Sequence, residues 1–171
     1  MLTLIKLIQS LFGALHSEGT PGQLAAGIAL GSFLGLTPLV NLHNAVIFAA
    51  LVLLNVSFAG GLLGWAVFVP VGFLLDPLFD WVGHSLLLAP SLRGLWTSLS
   101  NTPIIPLTNF NNTVVLGSLV FAMVFALPLF FATRLGVVRY RATIGERVRQ
   151  SKWYRTIMAS KVYNVYKLFR P

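Results

Sequence analysis

The chain has 171 residues, 56% of them hydrophobic and only 9% charged, with a mean hydropathy of +0.82. A soluble domain carries about 25% charged residues, so too few charges remain to cover a soluble surface, and the composition predicts an integral membrane protein. Cysteine is absent, which excludes disulfides, thiolate metal sites and cysteine nucleophiles. The formal charge of +8 is concentrated at one end: ten of the twelve basic residues fall between Arg134 and Arg170, and only Lys6 and Arg93 precede them. The acids are Glu18, Asp76, Asp80 and Glu146. No A-x-A-like site follows the apolar N-terminus, so a cleaved signal peptide is not expected.

In residues 1–16, Leu4, Ile5, Ile8, Leu11, Phe12 and Leu15 recur at helical spacing opposite Lys6, Gln9 and Ser10. That pattern predicts an amphipathic helix in the membrane interface, too short to cross. Between Glu18 and Asp76 no Asp, Glu, Lys or Arg occurs. A bilayer core needs about 20 helical residues, so this stretch holds two full spans or three short ones. Its punctuation favours three. Thr20-Pro21 with Gln23 is a helix start in which Thr caps, Pro takes the first helical position and Gln23 closes a capping box. Thr37-Pro38 is read as the start of a second segment, and Asn55 and Ser57 separate that from a third, Phe58 to Leu75. The first two segments have about 16 residues, about 24 Å of helix. They either cross a thinned region or form a re-entrant hairpin, whose broken backbone needs protein or a wet cavity to satisfy it. Gly27, Gly31 and Gly35 form one ridge, at which another helix can approach closely; whether that helix lies in this chain or another is open.

Residues 76–112 are semi-polar and read as an outer-side loop with short interfacial helices. Asp76-Pro77 and Thr102-Pro103 are turn or helix-start signals, and Trp81 and Trp96 suit the headgroup level. Thr113 to Leu135 is the clearest span, with Pro128 a candidate kink. The basic stretch after it predicts a cytoplasmic C-terminus. Two or four crossings both return the N-terminus to the same side. In the tail, residues 136–171, the face made by Ile157, Met158, Val162, Val165, Tyr166 and Phe169 predicts a second amphipathic helix. Arg139, Arg141, Arg147, Arg149, Lys152 and Arg155 are candidate contacts to anionic headgroups, each worth on the order of 1 kcal/mol. Nucleic-acid binding is the rival reading of a basic run, and a run starting at a span end favours the membrane.

The stretches "SEGTPGQLAAGIALGSFLGLTPLVNLHN", "LLGWAVFVPVGFLLDPLFDWVG" and "NFNNTVVLGSLV" resemble an uncharacterised family of small bacterial inner-membrane proteins with an E-G-T-P-G-Q…G-L-T-P motif. That family looks related to a broader membrane domain of unknown function. The resemblance covers roughly residues 10–140. It implies a bacterial inner membrane and a larger envelope protein as partner, and it supplies no activity or catalytic residue.

The candidate polar site within the apolar sequence comprises Thr20, Gln23, Thr37, Asn41, His43, Asn44 and Asn55. Polar groups inside a membrane are costly and often functional, and broken helices can bind an ion, headgroup or substrate at their ends. The structural alternative is that these side chains only satisfy backbone where helices break. For Asp76 and Asp80, capping and dipole roles around Pro77 compete with an acidic pair. No phosphate loop, H-E-x-x-H or G-x-S-x-G occurs.

The expected architecture is an all-α integral membrane protein: a short Gly-rich helical hairpin, two longer transmembrane helices, and amphipathic helices at both ends. The membrane domain is placed at 17–135. The expected function is a non-enzymatic inner-membrane subunit that anchors or organises a larger envelope complex, with lipid handling as a candidate task of that complex. The alternative is a small oligomeric transporter or channel. No cofactor, metal or nucleic acid is expected; membrane lipids and either a larger envelope protein or a second copy of the chain are.

Overall fold

A computed structural model of the protein describes residues 19–38 and 40–143. The described residues are all-helical: α1 (Pro21–Leu36), α2 (Leu42–Leu53), α3 (Phe58–Leu88), a 3-10 turn (Pro90–Leu92), α4 (Arg93–Ser100), a second 3-10 turn (Ile105–Thr108) and α5 (Thr113–Thr143). The amphipathic helices expected in residues 1–16 and in the tail beyond Thr143 lie outside the described residues, as do Arg147, Arg149, Lys152 and Arg155.

Local chemistry sets where α1 begins. Thr20 caps it, accepting from the Gln23 N–H at 3.1 Å, while the Gln23 side-chain oxygen accepts from the Thr20 N–H at 2.8 Å. Pro21 occupies the first turn, where a missing N–H costs nothing. The helix ends at Leu36 because Pro38 cannot donate and forces Thr37 into extended backbone, φ −102° and ψ 146°. Thr37 is therefore the C-terminal cap of α1 and not the start of a second helix. α2 begins five residues later, at Leu42, and has 12 residues, about 18 Å. The break at Asn55 and Ser57 is where the sequence places it: Ser57 caps α3, accepting from the Gly60 N–H at 3.1 Å.

α3 has 31 residues and runs through both Pro70 and Pro77. The helix start expected at Asp76-Pro77 is absent, and the loop expected over 76–112 begins only after Leu88. Packing explains this. Gly64 and Gly72 press α3 onto α1 below Pro77, and Gly83 presses it onto α5 above. A proline costs a helix one hydrogen bond and a clash, and close contacts on both sides hold the axis through that defect. α5 likewise runs past the expected boundary at Leu135 to Thr143, across Pro128.

The glycine ridge of α1 finds its mate within the chain. A Cβ on Gly27 would lie 2.1 Å from the Ser57 carbonyl oxygen, and one on Gly31 would lie 1.9 Å from that of Gly61. One on Gly35 would lie 2.8 Å from that of Trp65. Gly64 is reciprocally pressed on Ile28. The contact order rises together along both helices, so α1 and α3 run parallel, and α2 is the return leg between them. α5 is antiparallel to α3: Gly83 meets Thr113 and Gly117 meets Phe79.

α1 sits innermost. Ten of its 16 residues are buried, against only Asn44 and Leu51 in α2. One core cluster joins Phe33 and Leu36 of α1 to Phe79 of α3 and Ala122 of α5; a second joins Leu24, Leu63 and Val137. α3 and α5 are each long and apolar enough to cross a membrane. Their outward rows are apolar: Phe73, Leu74 and Trp81 on α3, and Val124, Leu127 and Phe131 on α5 are all more than half exposed.

Candidate functional site

The seven polar residues singled out in the sequence do not form one site. They divide between the two ends of the α1–α2 hairpin. At the base, the Gln23 side-chain amide donates to the Asn55 side-chain oxygen at 2.8 Å, beside the Thr20 capping box, and the Ser57 N–H donates to the Gln23 carbonyl at 3.0 Å. Asn55 falls beyond the end of α2, so the helical face that would align it with Asn41 and Asn44 does not extend that far. Also at this end, Arg141 Nη1 donates to the Gly19 carbonyl at 2.9 Å, so this guanidinium ties the end of α5 to the start of α1. Arg139 is exposed.

At the tip, Thr37, Asn41, His43 and Asn44 come together. The Thr37 hydroxyl lies 2.8 Å from the Phe33 carbonyl and 2.7 Å from Asn44 Oδ1; its single proton serves one at a time. The amides of Asn41 and Asn44 both donate to the Pro38 carbonyl, each at 2.7 Å. These contacts answer the backbone deficit that a helix break leaves. Asn44 and Thr37 are buried. The His43 ring lies beside the Thr108 backbone, but neither ring nitrogen reaches a partner at hydrogen-bond geometry.

Asn109, within the stretch 76–112 read from the sequence as a loop, also joins the tip. It adopts left-handed backbone at φ 55°, which Asn tolerates better than most residues. From there its amide donates to Asn41 Oδ1 at 2.6 Å and approaches the Val40 carbonyl at 3.4 Å. The second 3-10 turn is thereby latched onto the hairpin tip. The crowding of Asn109, Asn111 and Asn112 before α5 was the available signal, and only part of it is capping: Asn112 caps α5 by accepting from the Val115 N–H at 3.1 Å.

Two hollows flank the tip. The larger, about 830 Å³, lies between α2 and the α1–α3 pair. Its walls are Leu34, Phe48, Leu51, Leu62 and Trp65, and Asn41, Asn44 and Asn109 line it together with Pro106 and Leu107. Among the described residues, none that lines it is ionisable. The smaller, about 310 Å³, is bordered by Thr37, Pro38, Gly72, Asp76 and Val114. The end of α1 rests against Gly72, and α3 continues beyond it to Leu88, so the 16-residue α1 accompanies only part of the 31-residue α3. Of the two carboxylates, Asp80 accepts from the Thr113 hydroxyl, whereas Asp76 borders the small hollow and, inside α3, caps no helix. Among the described residues no group of three His, Cys, Asp or Glu stands close enough to hold a metal ion.

The chain is similar to an uncharacterized protein of Treponema pallidum (strain Nichols), 29% identical over 148 residues, which cover 86% of this chain and 91% of the relative. No solved structure matches. A family model matches residues 7–144, a stretch that contains the hairpin, the tip asparagines and both long helices. The chain therefore belongs to the family described as an uncharacterized protein conserved in bacteria, DUF2062.

Proposed function

We propose that this protein is a non-enzymatic subunit of the bacterial inner membrane that anchors or organises a larger envelope complex. The observation that carries this reading is how the polar side chains are used. Gln23, Asn55, Thr37, Asn41, Asn44 and Asn109 engage one another and the broken backbone, which is scaffold chemistry. The outward rows on α3 and α5 are left to lipid or to a partner's helices. In this arrangement α1, α2, α3 and α5 make four alternating crossings, the first two short. A short crossing draws the bilayer thinner around it at modest cost. The Arg141–Gly19 contact keeps both ends of the described chain on one side, which is the cytoplasmic one by its positive charge.

The test is isolation of the full, tagged chain from native membranes in mild detergent. A larger partner in fixed stoichiometry is the expected result; recovery of nothing but copies of this chain overturns it. One observation favours a second reading, an oligomeric transporter. Asp76 borders a hollow at the end of α1, and carboxylates beside broken helices mark ion paths in transporters. Loss of flux in Asn41→Ala with His43→Ala, in vesicles holding the pure protein, is what that reading requires.

A further inference from the structure

We propose that the groove between α2 and α3 binds an uncharged, hydroxyl-bearing glycerolipid of the diacylglycerol kind, acyl chain along the helices and polar end at the hairpin tip. The inference rests on the membrane reading above and gives that reading a ligand class.

Three features of the groove lead to it. The first is size and lining: about 830 Å³ falls in the range of small-molecule sites. Its walls are apolar, and Phe48, Leu62 and Trp65 remain partly exposed there, so hydrocarbon is the occupant they favour. The second is its polar end. Asn41, Asn44 and Asn109 line it there beside Pro106 and Leu107, which suits a molecule that terminates in a polar group.

The third is the hydrogen-bonding capacity left over. Asn41 spends one amide hydrogen on the Pro38 carbonyl and its oxygen on Asn109. Asn109 spends its amide on Asn41 and Val40. That leaves one amide hydrogen on Asn41 and the side-chain oxygen of Asn109, a donor and an acceptor on two residues already joined by a hydrogen bond. A hydroxyl fills both, accepting from Asn41 and donating to Asn109. A phosphate can use only the donor, and no cation lines the groove among the described residues to offset its charge.

The experiment uses the full chain in phosphatidylcholine nanodiscs doped with diacylglycerol carrying a photoreactive acyl chain. Cross-linked positions are mapped by mass spectrometry. Labelling is expected on α2 and α3 along the groove. Ala45→Trp, at an exposed lining position, fills the space and is expected to lower labelling about tenfold, equivalent to about 1.4 kcal/mol, with the melting temperature unchanged. Asn109→Gly keeps the left-handed turn and removes the polar contact; labelling is expected to fall several-fold. Equal labelling of wild type and Ala45→Trp overturns the proposal, as does labelling confined to residues 1–18. Equal competition by anionic phosphatidylglycerol overturns the choice of an uncharged head. The two readings fail separately. A lost lipid with a retained larger partner removes only the lipid site, and a retained lipid with no partner removes only the scaffold role.

Discussion

A proline placed after a helix end creates a fixed deficit. Pro38 has no N–H to return to the Leu34 carbonyl, and its own carbonyl needs a donor. Asn41 and Asn44 both supply that donor, but only Asn44 is buried and also meets the Thr37 hydroxyl. Asn44→Leu is therefore expected to cost about 1–3 kcal/mol, the penalty of orphaned buried polar groups, seen as a lower melting temperature in detergent. Asn41→Leu is expected to cost less, because Asn44 still serves Pro38. A larger loss at Asn41 than at Asn44 would contradict this ordering. Asn109 has a backbone role besides its amide: Asn109→Val forces a β-branched residue into left-handed geometry and is expected to destabilise more than Asn109→Gly.

Among the elements, the α1–α3 contact is set by glycines that leave no room. Gly31→Leu would drive carbon into the Gly61 backbone, and overpacking on this scale is expected to cost more than about 3 kcal/mol, shown by loss of monodisperse protein. Gly136 gives the contrast: nothing lies within 4 Å of a Cβ there, and Gly136→Ala is expected to gain up to about 1 kcal/mol from helix propensity. Equal tolerance at both positions would mean the ridge does not hold the bundle. The capping box at Thr20 and the ridge itself were legible in the sequence because both are local patterns. The ridge's mate was not, since Gly61 and Gly64 lie a whole hairpin away. Asp76-Pro77 misled for the opposite reason: it is a genuine local break signal overridden by packing of Gly72 and Gly83. The seven polar residues do not meet at one place because the segment from Pro38 to Asn55 is not one helix: it becomes helical only at Leu42 and ends at Leu53. The groove was invisible, because its walls are ordinary apolar residues brought together only by the fold.

For the whole molecule, the proposed crossing pattern carries a testable sidedness. The start of α1 and the end of α5 are joined by Arg141, while α4 is clamped at the other end, where Trp96 donates to the Leu86 carbonyl at 3.0 Å and stacks on Phe110. The native chain has no cysteine, so single replacements report cleanly. Asn101→Cys is expected to react with an impermeant maleimide from outside intact cells. Thr143→Cys is expected to react only after permeabilisation. Reaction of both from one side would rule out the proposed crossing pattern.

The parallel pairing of α1 with α3 also bears on the order in which the protein is made. Gly35 leaves the ribosome well before Gly72, the residue it will rest against; at roughly 5–20 residues per second, the interval is about 2–7 s. Throughout that wait the bare glycine surface of α1 has no permanent neighbour, and the returning leg α2 contributes little burial of its own. Until translation delivers α3, the newborn hairpin therefore leaves that glycine surface uncovered by its own chain.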